Sequence, residues 1–91
     1  MKYHYKPTKK FWQQFRALPQ HQQTLAREKF RIFAENPFDP RLHTHKIYRL
    51  SAAFQRTVHA VVVKGDLRAA FYIEGATVVS VAIGTHDIYK A

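Results

Sequence analysis

LRAAFYIEGATVVSVAIGTHDIY, residues Leu67 to Tyr89, reads as two β-strands reversed by a tight turn at Glu74-Gly75. The strands are mostly apolar, with β-branched and aromatic residues where a pleated, half-buried surface takes them. Polar chemistry gathers at one end: Arg68 opens the hairpin, and His86 and Tyr89 follow its close. A hairpin sets the start of its first strand beside the end of its second, so Arg68 and His86 are expected as neighbours. An arginine, a histidine and a tyrosine at one sheet end suit phosphodiester chemistry. Three unrelated surface residues would leave the same trace in a sequence.

Working backwards, RTVHAVVVK (Arg56 to Lys64) is a third strand, reversed at Gly65-Asp66 into the hairpin. The strands Arg56–Lys64, Leu67–Ile73 and Thr77–Gly84 then form an antiparallel meander. Earlier still, Thr8 is a suitable N-cap for a helix in which Phe11, Phe15 and Leu18 make one apolar stripe. Pro19 ends that helix and fits the first turn of a second, Gln20 to Glu35, whose apolar side is Leu25, Ala26, Phe30, Phe33 and Ala34. Asn36-Pro37 stops it. Met1 to Pro7 alternates tyrosines with polar residues and reads as a short edge strand. The segment RLHTHKIYRLSAAFQRT (Arg41 to Thr57) is basic, with Leu42, Ile47, Tyr48 and Leu50 as expected apolar anchors. The expected fold is α+β, in the order β-α-α-β-β-β: an antiparallel sheet with a helical hairpin on one face and the other face open.

Composition narrows the function. A chain of 91 residues supports one domain, here taken as residues 1–91. With no cysteine, disulfides and thiolate metal sites are excluded. No apolar run is long enough for a membrane span, and MKYHYKPTKK lacks the apolar core of a signal peptide, so a soluble cytoplasmic protein with no membrane partner is expected. Fifteen Lys and Arg against six Asp and Glu give a formal charge of +9, distributed along the whole chain. A polyanion, above all a nucleic acid, is the expected partner of such a surface.

With this order in place the chain resembles the RelE/ParE superfamily of small bacterial toxins from type II toxin–antitoxin modules. The resemblance rests on Asn36-Pro37 followed by Leu42-His43-Thr44-His45-Lys46-Ile47, on Leu67-Arg68-Ala69-Ala70-Phe71-Tyr72, and on Val81-Ala82-Ile83-Gly84-Thr85-His86-Asp87-Ile88-Tyr89. It implies either an endoribonuclease that cleaves messenger RNA, often on the ribosome, or a ParE-like binder that poisons DNA gyrase. It also implies an acidic, partly disordered antitoxin as partner and no cofactor. The arginine of the family's strand falls on Arg68, its residue after the closing glycine on His86, and its terminal aromatic on Tyr89. The histidines of the YafQ-like branch fall on His45 and His59. One acidic residue of that branch has no counterpart in the run Ala60-Val61-Val62-Val63-Lys64 after His59.

Cleaving RNA without a metal requires removal of the 2′-hydroxyl proton, stabilisation of charge on the phosphoryl oxygens, and protonation of the leaving 5′-oxygen. Histidine suits the proton steps because it titrates near neutrality. A guanidinium suits the phosphoryl oxygens because it stays charged and offers paired donors. Arg68 is therefore the expected stabiliser and His86 the expected proton carrier, with a histidine or Asp87 in place of the missing acid. Tyr89 either orients the substrate or plugs the core. His59 alternates with Thr57 and Val61 and is as well explained by a hydrogen-bonded core position. His43 and His45, separated by one residue on an extended segment, would face the same way as a potential metal pair, but without a carboxylate or thiolate set no metal site is expected. Lys46, Arg49 and Arg56 are expected to follow the RNA backbone; Lys9, Lys10 and Arg16 are open to ribosomal RNA or to solvent alone.

Overall fold

The computed structural model describes residues 3–90. Its elements are β1 (His4–Pro7), α1 (Lys9–Arg16), α2 (Gln20–Glu35), a 3₁₀ turn (Pro40–Leu42), β2 (His45–Lys46), α3 (Tyr48–Phe54), β3 (Val58–Lys64), β4 (Leu67–Glu74), β5 (Thr77–Gly84) and a closing 3₁₀ turn (His86–Tyr89). The expected α+β order is present. Met1 and Lys2 of the expected first strand lie outside the described residues.

Five strands form one sheet in the order β1-β5-β4-β3-β2. The meander β3-β4-β5 is antiparallel, whereas β1 runs parallel to β5, so the sheet is mixed rather than wholly antiparallel. The reason is connectivity. The helical hairpin between β1 and β3 carries the chain across a face of the sheet, and such a crossover lets the first strand return alongside the last in the same direction.

Each turn follows from its residues. Thr8 caps α1 by accepting a hydrogen bond from the Phe11 amide at 3.1 Å. Gly65 and Gly75 take positive φ in the two hairpin turns, where a side chain would be strained. Beyond the end of β1, the Gln14 side chain of α1 accepts from the Ile83 amide at 3.0 Å and so satisfies a β5 donor there.

Two clusters of buried residues lie on opposite faces. On the hairpin face Phe11, Phe15, Ala26 and Phe33 pack on Val61, Val63, Ala69 and Phe71. On the other face Ile47 and Leu50 pack on Val58, Ala60, Ala70 and Ala82, with Ile88 and Tyr89 against them. The second face is therefore not open: α3 and the closing turn cover much of it. Sequence periodicity missed α3 because it spans seven residues with few buried side chains. Its stability is tertiary. The Ile47 amide donates to the Val58 carbonyl at 2.8 Å, and the Ser51 hydroxyl accepts from the Val58 amide at 2.8 Å. Tyr48, expected as an anchor, is instead 76% exposed at the start of this helix. No helix among the described residues is long and apolar enough to cross a membrane.

Candidate active site

Alternation along β4 decides which way Arg68 faces. Leu67, Ala69 and Phe71 belong to the hairpin-side core, whereas Ala70 packs on the α3 side. Arg68 therefore projects to the α3 face. Its register partner on β5 is Gly84, and the closing turn starts two residues beyond. A Cβ on Gly84 would stand 2.9 Å from Ile88 Cγ2, so the absence of a side chain lets this turn lie down on the sheet. Thr85 caps the turn by accepting from the Asp87 amide.

This packing brings Arg68, Tyr89 and His86 together, Tyr89 lying between the other two, and adds Asp66 to them. Tyr89 lies beside the Arg68 guanidinium, and its ring meets that of His86 edge-on with centroids 5.2 Å apart. Burial raises the Tyr89 phenol above its ordinary pKa, and the Arg68 guanidinium, by hydrogen bonding first and then by its charge, only partly opposes this, so the phenol is protonated at neutral pH. His86 Nδ1 hydrogen-bonds the Asp66 carboxylate across the gap between the β3–β4 turn and the closing turn. A carboxylate only accepts, so Nδ1 carries the proton and Nε2 is left to act on a substrate. In the sequence Asp66 marks only a turn, because a carboxylate in a Gly-Asp reversal carries no sign of its partner twenty residues on. Asp87, the other candidate acid, pairs with Lys90 at 3.3 Å instead.

Within this cluster the Arg68 Nε and the Tyr89 hydroxyl are buried without a hydrogen-bond partner. Unsatisfied polar atoms cost stability, about 1–3 kcal/mol each. Here the two lie against each other, and the guanidinium acts on the phenol as a neighbouring donor, which offsets part of that cost.

The other expected site residues sit elsewhere. His59 lies between Val58 and Ala60 of the α3-side core and so faces the hairpin side, away from Arg68. There it stacks on Phe71 with centroids 5.6 Å apart and meets Phe38 edge-on at 5.1 Å. Burial first, then the charges of Lys46 and His45, lowers its pKa and holds it neutral. His59 thus faces the core, but its Nδ1 is buried without a hydrogen-bond partner rather than bonded as expected, and the Arg68 cluster does not include it. His45 pairs in register with Ala60 and so lies toward the α3 face, at the outermost strand. Its row continues through Ala60 and Ala70, which places it two strands from β4, about 10 Å from the Arg68 strand. The carbonyl of His43 accepts from His45 Nδ1 at 2.8 Å. His43 itself has left-handed backbone, φ 50°, so the segment is not extended and the two imidazoles do not form the parallel pair considered for a metal. Lys46 and Arg49 are exposed. Arg56 is engaged within the fold, stacked 4.4 Å over the Tyr72 ring and paired to Glu74 at 2.8 Å.

The architecture defines a class: a small α+β protein whose sheet carries a helical hairpin on one face and a cationic–phenolic cluster on the other. Among solved structures it is similar to the archaeal RelE–RelB complex from Pyrococcus horikoshii OT3, with a TM-score of 0.71 and 14% identity over 93% of this chain and 96% of that one. It is also similar to a copper-bound mutant toxin from Helicobacter pylori, with a TM-score of 0.62 and 14% identity over 94% and 97% of the two chains. No protein-family model and no curated protein sequence matches the chain. The fold is the RelE-like toxin fold.

Proposed function

We propose that this protein is the toxin of a type II toxin–antitoxin module and acts as an endoribonuclease that cleaves messenger RNA at the Asp66–His86–Tyr89–Arg68 cluster, inhibiting translation. The observation that carries the reading is the meeting of a carboxylate-oriented imidazole, a protonated phenol and a guanidinium at one sheet end. His86 Nε2 takes the proton of the 2′-hydroxyl, and the 2′-oxygen attacks the adjacent phosphorus. Arg68 donates to the phosphoryl oxygens as negative charge grows on them. The phosphorus–5′-oxygen bond then breaks, and Tyr89 supplies the hydrogen that the leaving oxygen needs. The products are a 2′,3′-cyclic phosphate and a 5′-hydroxyl. The ribosome is the proposed setting, since a +9 domain is attracted to an RNA-rich particle.

The same charge supports an acidic protein partner. One structural neighbour is a complex of RelE with RelB, and an antitoxin of opposite charge would cover this surface and suppress its activity.

Induced expression in bacteria tests the reading, comparing wild type with His86→Ala and mapping message ends. Growth arrest with new ends, both absent from the variant, supports it. Arrest with intact messages and damaged DNA replaces it with gyrase inhibition, and no arrest leaves a non-toxic binding module.

A further inference from the structure

Among the described residues four large apolar side chains are conspicuously exposed, and Tyr48 at 76% is the most exposed of them. In the sequence HTHKIYR around it, Lys46 and Arg49 flank the Ile47-Tyr48 pair. Ile47 beside it is buried in the α3-side core and tied to β3 by its amide, so the backbone that carries Tyr48 is held firmly. The ring itself is turned out to solvent. The Lys46 ammonium lies 4.8 Å from its ring centroid. An aromatic face on a rigid junction, with a cation beside it and Arg49 next in sequence, is the arrangement that holds unpaired bases: the base stacks while the ammonium meets the adjoining phosphate. The junction belongs to the sheet edge where His45 shares the Arg68 face, about two strand spacings from the Arg68 strand. A single-stranded RNA bound at Arg68 reaches it within a few nucleotides.

We propose that Tyr48 is a base-stacking platform for an unpaired nucleotide flanking the cleaved bond, with Lys46 neutralising the neighbouring phosphate. This rests on the RNA-cleavage reading and adds to it a subsite that fixes the substrate's register and favours unpaired RNA. Stacking accepts every base, so the subsite selects for single strands more than for sequence.

The test is anisotropy titration of a short fluorescein-labelled single-stranded RNA with the uncleaving His86→Ala protein, across a salt series. Tyr48→Ala in that background should weaken binding about 10- to 100-fold while leaving the salt slope unchanged. Tyr48→Trp should retain the affinity. Lys46→Ala should instead lower the salt slope by about 0.7, the value for one phosphate contact on a single strand. Unchanged affinity in Tyr48→Ala, or a loss carried by the salt slope alone, overturns the stacking role while leaving RNA cleavage standing. Equal binding of a hairpin duplex overturns it as well. A His86→Ala protein that binds no RNA removes the cleavage reading and the subsite together.

Discussion

His86 and Asp66 form a half-exposed pair, and such a pair adds little to stability, about 0–1 kcal/mol. Its value lies in setting the tautomer and direction of one imidazole. Asp66→Asn should therefore lower cleavage about 10- to 100-fold with an unchanged melting temperature, measured on a labelled RNA. Arg68→Ala should abolish cleavage and cost about 0.5–1.5 kcal/mol, the worth of its contact with the Tyr89 hydroxyl; denaturant titration beside the activity assay checks both halves. His59 makes a prediction of opposite kind. Its folded pKa is lowered chiefly by burial, so the unfolded chain binds the extra proton more readily. Stability should be fully present above the unfolded value of about 6.5 and fall as pH drops from there through the lower folded value. His59→Phe should flatten that acid-side loss in urea titrations while leaving cleavage intact, and a variant that loses cleavage would return His59 to the reaction.

The closing 3₁₀ turn is the element on which the site depends. It carries His86 and Tyr89, and it lies flat only because Gly84 has no side chain beneath Ile88. Gly84→Ala should push the turn off the sheet, costing about 1–3 kcal/mol as overpacking does, and should lower activity because the imidazole leaves Asp66. Ile88→Ala in the same chain should recover part of both losses by clearing the clash. A double-mutant cycle on melting temperature and rate measures the coupling, and simple additivity would deny the contact this role. The short helix α3 has the complementary task. It covers another part of the same face, with Leu50 buried and Ser51 bound to Val58.

For the whole molecule the net charge governs encounter. A +9 domain of 91 residues repels itself and attracts polyanions over about 8–10 Å at moderate salt. RNA affinity should fall steeply and linearly in logarithmic salt, and an acidic antitoxin should associate faster as salt is lowered. Stopped-flow association at two ionic strengths reads this directly; a rate indifferent to salt would mean that the surface charge has no part in partner capture.

The local order of this chain was legible without coordinates. Thr8 before the Phe11–Phe15 stripe, Pro19 between two helices, Asn36-Pro37 as a stop and glycines at both hairpin turns are short-range signals, and each acts on its own neighbours. Hairpin geometry likewise foretold the nearness of Arg68 and His86, since register follows from turn position. What depended on contacts distant in sequence was not legible. The parallel return of β1 beside β5, the docking of α3 and the exposure of Tyr48 are each decided by a surface assembled from remote segments. Asp66 belongs with these: its sequence marks only a tight turn, and the tertiary fold alone brings the His86 imidazole against it.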